Sequence, residues 1–206
     1  MLTSNDFRGL VNQRFLKNFF PIPAKNQIQV GSFAPPFHLY DVQHRQQRQL
    51  PHPIQPMSGG GNGSDTGARS PILLAFTRIF TEKQYCPLCF PHIGAMNDAY
   101  EQFRQRGVEV WMITSTDPEQ SAVVAEDLGL QMPLLSDPSC QTFRTYQTGQ
   151  ALGAPLPAQF LVDTTGRVRY RHLFSFIEPN ASVEMLLEAI APLSSSSAFD
   201  IDDRRF

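Results

Sequence analysis

Ile72-Leu73-Leu74-Ala75-Phe76 is an unbroken apolar run, and Cys86-Pro87-Leu88-Cys89 follows it just before Ile93, Met96, Tyr100 and Phe103 recur on one helical face. The run reads as a strand buried on both faces, and the recurrence reads as a helix reaching about Arg106, where Gly107 stops it. Cys86 is thereby placed at a helix N-terminus, with Pro87, which has no N–H and a fixed φ, at the first helical position.

Outward from this unit the alternation continues. Val108-Glu109-Val110-Trp111-Met112-Ile113 predicts a second strand, and Asp117-Pro118-Glu119 opens a helix through Leu128. Leu134 to Asp137 predicts a short strand, and Pro138 starts a helix through about Tyr146. Phe160 to Asp163 and Val168 to Arg171 flank a Thr164-Thr165-Gly166 turn, and Ser182 to Ile190 predicts a last amphipathic helix. Strands alternating with helices imply an α/β fold whose sheet has parallel elements and helices on both faces.

The remaining chain frames this core. Residues 1–24 are expected as an N-terminal helical extension, because Leu2, Phe7, Leu10, Val11, Phe15, Leu16 and Phe19 fall near helical spacing. Its aromatic residues are available to dock on the domain itself or on a partner. Residues 25–193 are expected to form the domain. Within it Val30 to Asp41 reads as extended, and residues 43–70, rich in Gln and then in Pro, Gly and Ser, read as a flexible insertion in a surface hairpin. The polar residues 194–206 are expected as a disordered tail.

With 206 residues, 41% of them hydrophobic, the chain can bury a real core. A formal net charge of −2 gives no electrostatic reason to expect nucleic acid as a partner. No apolar run is long enough for a membrane span. The first residues lack a basic region followed by an apolar core, so a cytoplasmic, reducing location is expected. No glycine-rich phosphate loop follows a strand, so no cofactor is expected.

Three cysteines, Cys86, Cys89 and Cys140, do not make a disulfide framework. In a reducing compartment close cysteines point to catalysis or metal. At a helix N-terminus the unpaired N–H groups and the macrodipole favour the Cys86 thiolate. Cys89, one turn on, is placed to attack a mixed disulfide on Cys86. Lys83 and His92 are candidate cations beside that thiolate. Three other readings stay open: structural zinc held by Cys86, Cys89, His92 and Cys140, two inert core cysteines, and a redox sensor that binds a partner through the N-terminal helix and the loop. The first would put metal in the site, whereas the dithiol reading needs none. Cys140 reads as a small buried residue or as a further thiol.

At this point the chain resembles the redoxin group, the peroxiredoxins of the alkyl-hydroperoxide-reductase and thiol-specific-antioxidant family together with their thioredoxin-like relatives. The resemblance runs from about Gly31 to Leu193 without the loop. It is carried by Val30 to Phe37, Phe76 to Cys89, Val108 to Asp117, Pro133 to Asp137 and Phe160 to Gly166. It implies a thioredoxin-like three-layer α/β/α sandwich with a mixed central sheet. It also implies a thiol-dependent oxidoreductase acting on a protein or small-molecule disulfide, or on a hydroperoxide, with a cellular thiol reductant such as a thioredoxin as donor. The chain departs from the peroxiredoxin motif. Lys83 and Ile79 stand where that motif places Thr or Ser and Pro before Cys86, and Cys86 and Glu82 occupy those places if Cys89 is counted instead. Leu156-Pro157-Ala158-Gln159-Phe160 lacks the expected Arg, for which Arg78, Arg144 and Arg169 are possible substitutes. Pro157 resembles the proline that faces the cysteine pair in thioredoxins, cis in that family and of open isomer here.

Overall fold

The computed structural model describes residues 13–50 and 70–196. In chain order these form α1 (Gln13–Lys17), the strands β1 (Phe37–Asp41), β2 (Gln46–Leu50) and β3 (Ile72–Phe76), the short strands β4 (Ile79–Thr81) and β5 (Gln84–Tyr85), and the helices α2 (Phe90–Asp98) and α3 (Tyr100–Gln105). There follow β6 (Glu109–Thr114), α4 (Pro118–Asp127), β7 (Leu134–Ser136), α5 (Gln141–Thr145), the small hairpin β8 (Gln150–Ala151) and β9 (Ala154–Pro155), then β10 (Ala158–Val162), β11 (Val168–Leu173) and α6 (Val183–Ser196).

Seven strands form one sheet in the order β11-β10-β3-β6-β7-β1-β2. β3, β6 and β7 run parallel. β10 is antiparallel to β3 and β11, and β1 is antiparallel to β7 and β2, so the sheet is mixed. Strand alternation divides the core. Leu73, Ala75, Val110, Met112 and Leu161 face a layer in which α2, α3, α4 and α6 contribute Ile93, Met96, Phe103, Val124, Leu186 and Ile190. Leu74, Phe76, Trp111, Ile113 and Phe160 face the opposite layer, built from Phe143 and Tyr146 at α5 and from Phe37 and Leu39. There Phe76 lies 5.0 Å from the rings of Phe143 and Tyr146, and Tyr146 closes the cluster by donating its hydroxyl to Pro35 O at 2.8 Å. Each such buried aromatic contributes about 2–3 kcal/mol by area removed from water. The α/β thioredoxin-like sandwich is therefore the fold, with sheet and helices as the sequence pattern requires.

Several boundaries differ from expectation. The predicted loop over 43–70 begins with a strand: Gln46–Leu50 pairs along β1. Its polar residues suit the edge of the sheet, and buried Asp41 organises the turn by accepting from Gln43 N, His44 N and Arg48 Nε. Residues 51–69 lie outside the described part. The helix expected to run without a break to Arg106 is interrupted at Ala99, after the weak helix formers Asn97 and Asp98. α6 continues through Pro192 to Ser196, beyond the predicted end near Ile190 and into the segment expected as tail, whose remainder is not described. Of the N-terminal extension, the described part is a single helical turn followed by an extended stretch, and Leu16, Phe19, Phe20 and Ile22 are exposed. Among the described residues no helix is long and apolar enough to cross a membrane.

Candidate active site

β3 delivers the chain to the sheet end, where Thr77 N still donates to Ile113 O at 2.8 Å. The chain then turns through Arg78 into the β4–β5 hairpin, which the sequence did not announce, and emerges at Cys86. Cys86 does not occupy the first helical residue. The pair forms a tight turn: Cys86 O accepts from Cys89 N at 3.0 Å and from Phe90 N at 2.9 Å, and Cys89 stands at the N-cap of α2. Pro87 is an exposed turn residue and Pro91 is the proline inside the first helical turn, which explains the displacement by one turn.

The reason this turn favours an anion survives the shift. The Cys86 sulfur is depressed to about 6 because Cys89 donates its thiol to it, against the opposing effect of burial, and because the Leu88 and Cys89 N–H groups and the Arg78 charge add to the same side. The two thiols lie 3.8 Å apart, unbonded. Cys89 moves the other way: its bond to Cys86, its burial and repulsion from the Cys86 thiolate hold its proton on. Environment thus separates the two thiols into one that ionises readily and one that keeps its proton. Both sulfurs are recessed. Cys86 is 5% exposed beneath exposed Pro87 and Leu88, and Cys89 is 1% exposed.

The cation beside Cys86 is Arg78, not Lys83. Lys83 is exposed in the β4–β5 turn, where its backbone N donates to Thr81 Oγ1. Arg78 is nearly buried, stacks 4.8 Å above the Phe80 ring and donates from Nη2 to Ala151 O and Leu152 O. Its charge acts on both cysteines. Arg144 instead donates to Ser139 O, and Arg169 pairs with Asp163 at the β10–β11 turn. His92 also departs from its predicted role. Burial lowers it to about 4, so it is a neutral imidazole near pH 7 and supplies no charge. Pro157 is buried at the head of β10, and the β10–β3 register sets it beside Thr77 at the sheet end that carries the cysteine turn. Among the described residues no peptide bond is cis, so the thioredoxin proline is matched in position and not in isomer.

Two residues the sequence reading passed over complete the surroundings. Gln159, fully buried in β10, donates from Nε2 to Asn180 Oδ1 at 3.0 Å and accepts from Ala181 N at 2.9 Å. Asn180 Nδ2 donates to Leu88 O at 3.2 Å, and its side chain also reaches Cys89. A glutamine inside the apolar Leu156 to Val162 stretch was the available signal, since a buried amide must find partners. Cys140 stands apart, in the layer of Phe143 and Tyr146, and burial raises its thiol. Among the described residues no three His, Cys, Asp or Glu side chains are grouped as metal ligands, so Cys140 does not join Cys86, Cys89 and His92.

Known proteins carry the same architecture. The reduced 2-Cys peroxiredoxin of Plasmodium vivax superposes with a TM-score of 0.63 at 18% identity, over 82% of this chain and 84% of that one. A putative thiol:disulfide interchange protein DsbE from Chlorobium tepidum superposes with a TM-score of 0.55 at 21% identity, over 80% and 99%. In sequence, the thiol-disulfide oxidoreductase ResA of Geobacillus kaustophilus is 28% identical over 176 residues, covering 85% of this chain and 84% of that one. The model of the AhpC/TSA family matches residues 64–171, which span more than half of the 206 residues. The protein is thus an oxidoreductase, and it belongs to the AhpC/TSA family.

Proposed function

We propose that the protein is a dithiol oxidoreductase in which Cys86 is the nucleophile and Cys89 the resolving thiol. The observation that carries this reading is the split of the pair: Cys89 donates a hydrogen bond to a Cys86 sulfur that backbone N–H groups and Arg78 keep anionic. The Cys86 thiolate attacks one sulfur of a substrate disulfide, forming a mixed disulfide and expelling the other sulfur as a thiolate. Cys89 then loses its proton, to that leaving thiolate or to water, and attacks Cys86. The second substrate thiol departs and a Cys86–Cys89 disulfide remains. Two electrons have passed to the substrate, and a cellular thiol reductant such as a thioredoxin returns them. Arg78 and the N–H groups stabilise negative charge on Cys86 both as attacking and as leaving sulfur.

Hydroperoxide reduction is a second reading, favoured by two buried polar atoms at the site without partners, Thr77 Oγ1 and Arg78 Nε. They are suited to bind a peroxide oxygen beside Cys86. In that case Cys86 takes the terminal oxygen to become a sulfenic acid, the alkoxide leaves with a proton, and Cys89 condenses with release of water.

Turnover with a small disulfide and with a hydroperoxide, each coupled to thioredoxin and its reductase, tests both readings. Disulfide reduction lost in Cys86→Ser and strongly impaired in Cys89→Ser is expected. Full activity in Cys86→Ser refutes the assignment.

A further inference from the structure

The extended stretch after α1 lies along the β8–β9 hairpin, and the hairpin in turn touches Arg78. Ile22 and Gln150 exchange backbone hydrogen bonds at 2.8 Å, and Gln150 Nε2 donates to Lys17 O and Phe20 O. The turn of the hairpin, Leu152-Gly153, has φ of +49° and +86° at its two residues. Glycine is required at the second, because a Cβ there would sit 2.0 Å from the Phe15 ring. Phe15 is therefore seated directly on the turn.

The hydrogen bonds of this turn have a direction. Leu152 N donates to Phe19 O at 3.0 Å, while Ala151 O, on the same peptide unit, accepts from Arg78 Nη2. Gly153 N donates to Asn18 O at 3.0 Å, while Leu152 O, again on the same unit, accepts from Arg78 Nη2 at 3.2 Å. Two successive trans peptide units thus have their N–H ends on carbonyls of the N-terminal segment and their C=O ends on one guanidinium. Hydrogen bonds chained through a peptide polarise one another and hold the unit against rotation. The segment is itself anchored: Asn18, buried, donates to Arg14 O at 2.8 Å, and Arg14 donates to Ser115 O and Phe80 O on the active-site side.

We propose that residues 13–22 form a positioning strap for the redox site: through the 151–152 and 152–153 peptide units they hold two carbonyls on Arg78 and so keep its charge beside Cys86. The inference rests on the dithiol reading given above. Asn18, Phe19 and Phe15 touch no reacting atom and act through the hairpin on Arg78. The strap gives the described part of the N-terminal extension a role within the chain, one of the two that its aromatic residues left open.

The test uses the full chain, with Phe15→Ala and Gln150→Ala made separately in the natural and in the Arg78→Ala backgrounds. Gln150→Ala removes two exposed hydrogen bonds, so it reports on the strap even if Phe15→Ala fails to fold, as circular dichroism would show. The readout is the rate of Cys86 alkylation by iodoacetamide at pH 6, followed by peptide mass mapping, together with the pH midpoint of that rate. Each strap variant is expected to slow alkylation at pH 6 by about twofold to fivefold and to raise the midpoint, since less of the thiol is ionised there. Neither should slow it further once Arg78 is alanine. Unchanged rates in both strap variants, or an equal fall in the Arg78→Ala background, overturn the strap while leaving the Arg78 effect in place. If Arg78→Ala itself leaves the rate unchanged, the charge arrangement behind the dithiol reading fails, and the strap fails with it.

Discussion

Replacing Arg78 by alanine should move the Cys86 ionisation in a way the surrounding bonds bound from both sides. With its midpoint at about 6, Cys86 is half ionised at pH 6. A hydrogen bond or contact to a charged group contributes about 1.5–3 kcal/mol. Pro87 and Leu88 beside the recessed Cys86 are exposed, so solvent screens the contact and the lower end of that range applies; about 1.5 kcal/mol is close to one pH unit. The Leu88 and Cys89 N–H groups and the Cys89 thiol remain in the variant, so the midpoint should stop near pH 7, short of the ordinary thiol at about 8.5. The ionised fraction at pH 6 then falls from about a half to roughly a tenth, and at pH 9 both proteins are fully ionised. The assay is the pH dependence of Cys86 carbamidomethylation from pH 4.5 to 9.5. Alkylation should slow by roughly fivefold at pH 6, and the two curves should converge above pH 8. Because a less acidic thiolate is intrinsically more nucleophilic, the variant should equal or slightly exceed the natural protein on the plateau. Superimposable curves, or a uniform loss at every pH, would refute the reasoning.

Three further outcomes follow from the same geometry. Asn180→Ala strips the partner from the fully buried Gln159 amide and frees Leu88 O, so it should cost roughly 1–3 kcal/mol and lower Tm by several degrees, measured by calorimetry; an unchanged Tm denies that network. His92 binds a proton readily only when unfolded, because burial lowers its folded value to about 4 from 6.5. The unfolded chain therefore carries the extra proton between those values, and stability falls as pH drops through that window, by about 2.5 kcal/mol at pH 4.5. Urea midpoints for the natural protein and His92→Phe at pH 7.5 and 4.5 check this, and equal pH dependence in the two would contradict it. Cys140→Ala should leave thiol turnover within about twofold while costing about 1–2 kcal/mol of stability, since Cys140 packs in the layer away from the pair; a loss of turnover would bring Cys140 into the mechanism.

Much of this fold could be read from periodicity. Ile72 to Phe76 and Val110 to Ile113 are apolar throughout because both faces of those strands are covered, and both are central strands. What escaped notice was set by tertiary pairing. Gln46 to Leu50 carries no strand-like alternation, yet it pairs at a sheet edge where Arg48 can reach Asp41. The cysteines were legible in the site, but the choice of cation was not. Lys83 is nearer in sequence to Cys86, whereas the β4–β5 hairpin folds the intervening residues back and sends Lys83 to solvent, leaving Arg78 at the sulfur. Likewise Asn180 reaches the turn only because β10 and the loop before α6 bring Gln159 and Asn180 together. Proximity across a sheet end leaves no trace in local spacing.

The central claim is that Cys86 attacks and Cys89 resolves. It is tested most directly by incubating Cys89→Ser with a small disulfide and locating the adduct by mass spectrometry of the digested protein. A stable mixed disulfide on Cys86, against a Cys86–Cys89 disulfide in the natural protein under the same conditions, is the predicted result. An adduct confined to Cys140, or an unmodified Cys86 in a folded variant, would contradict it.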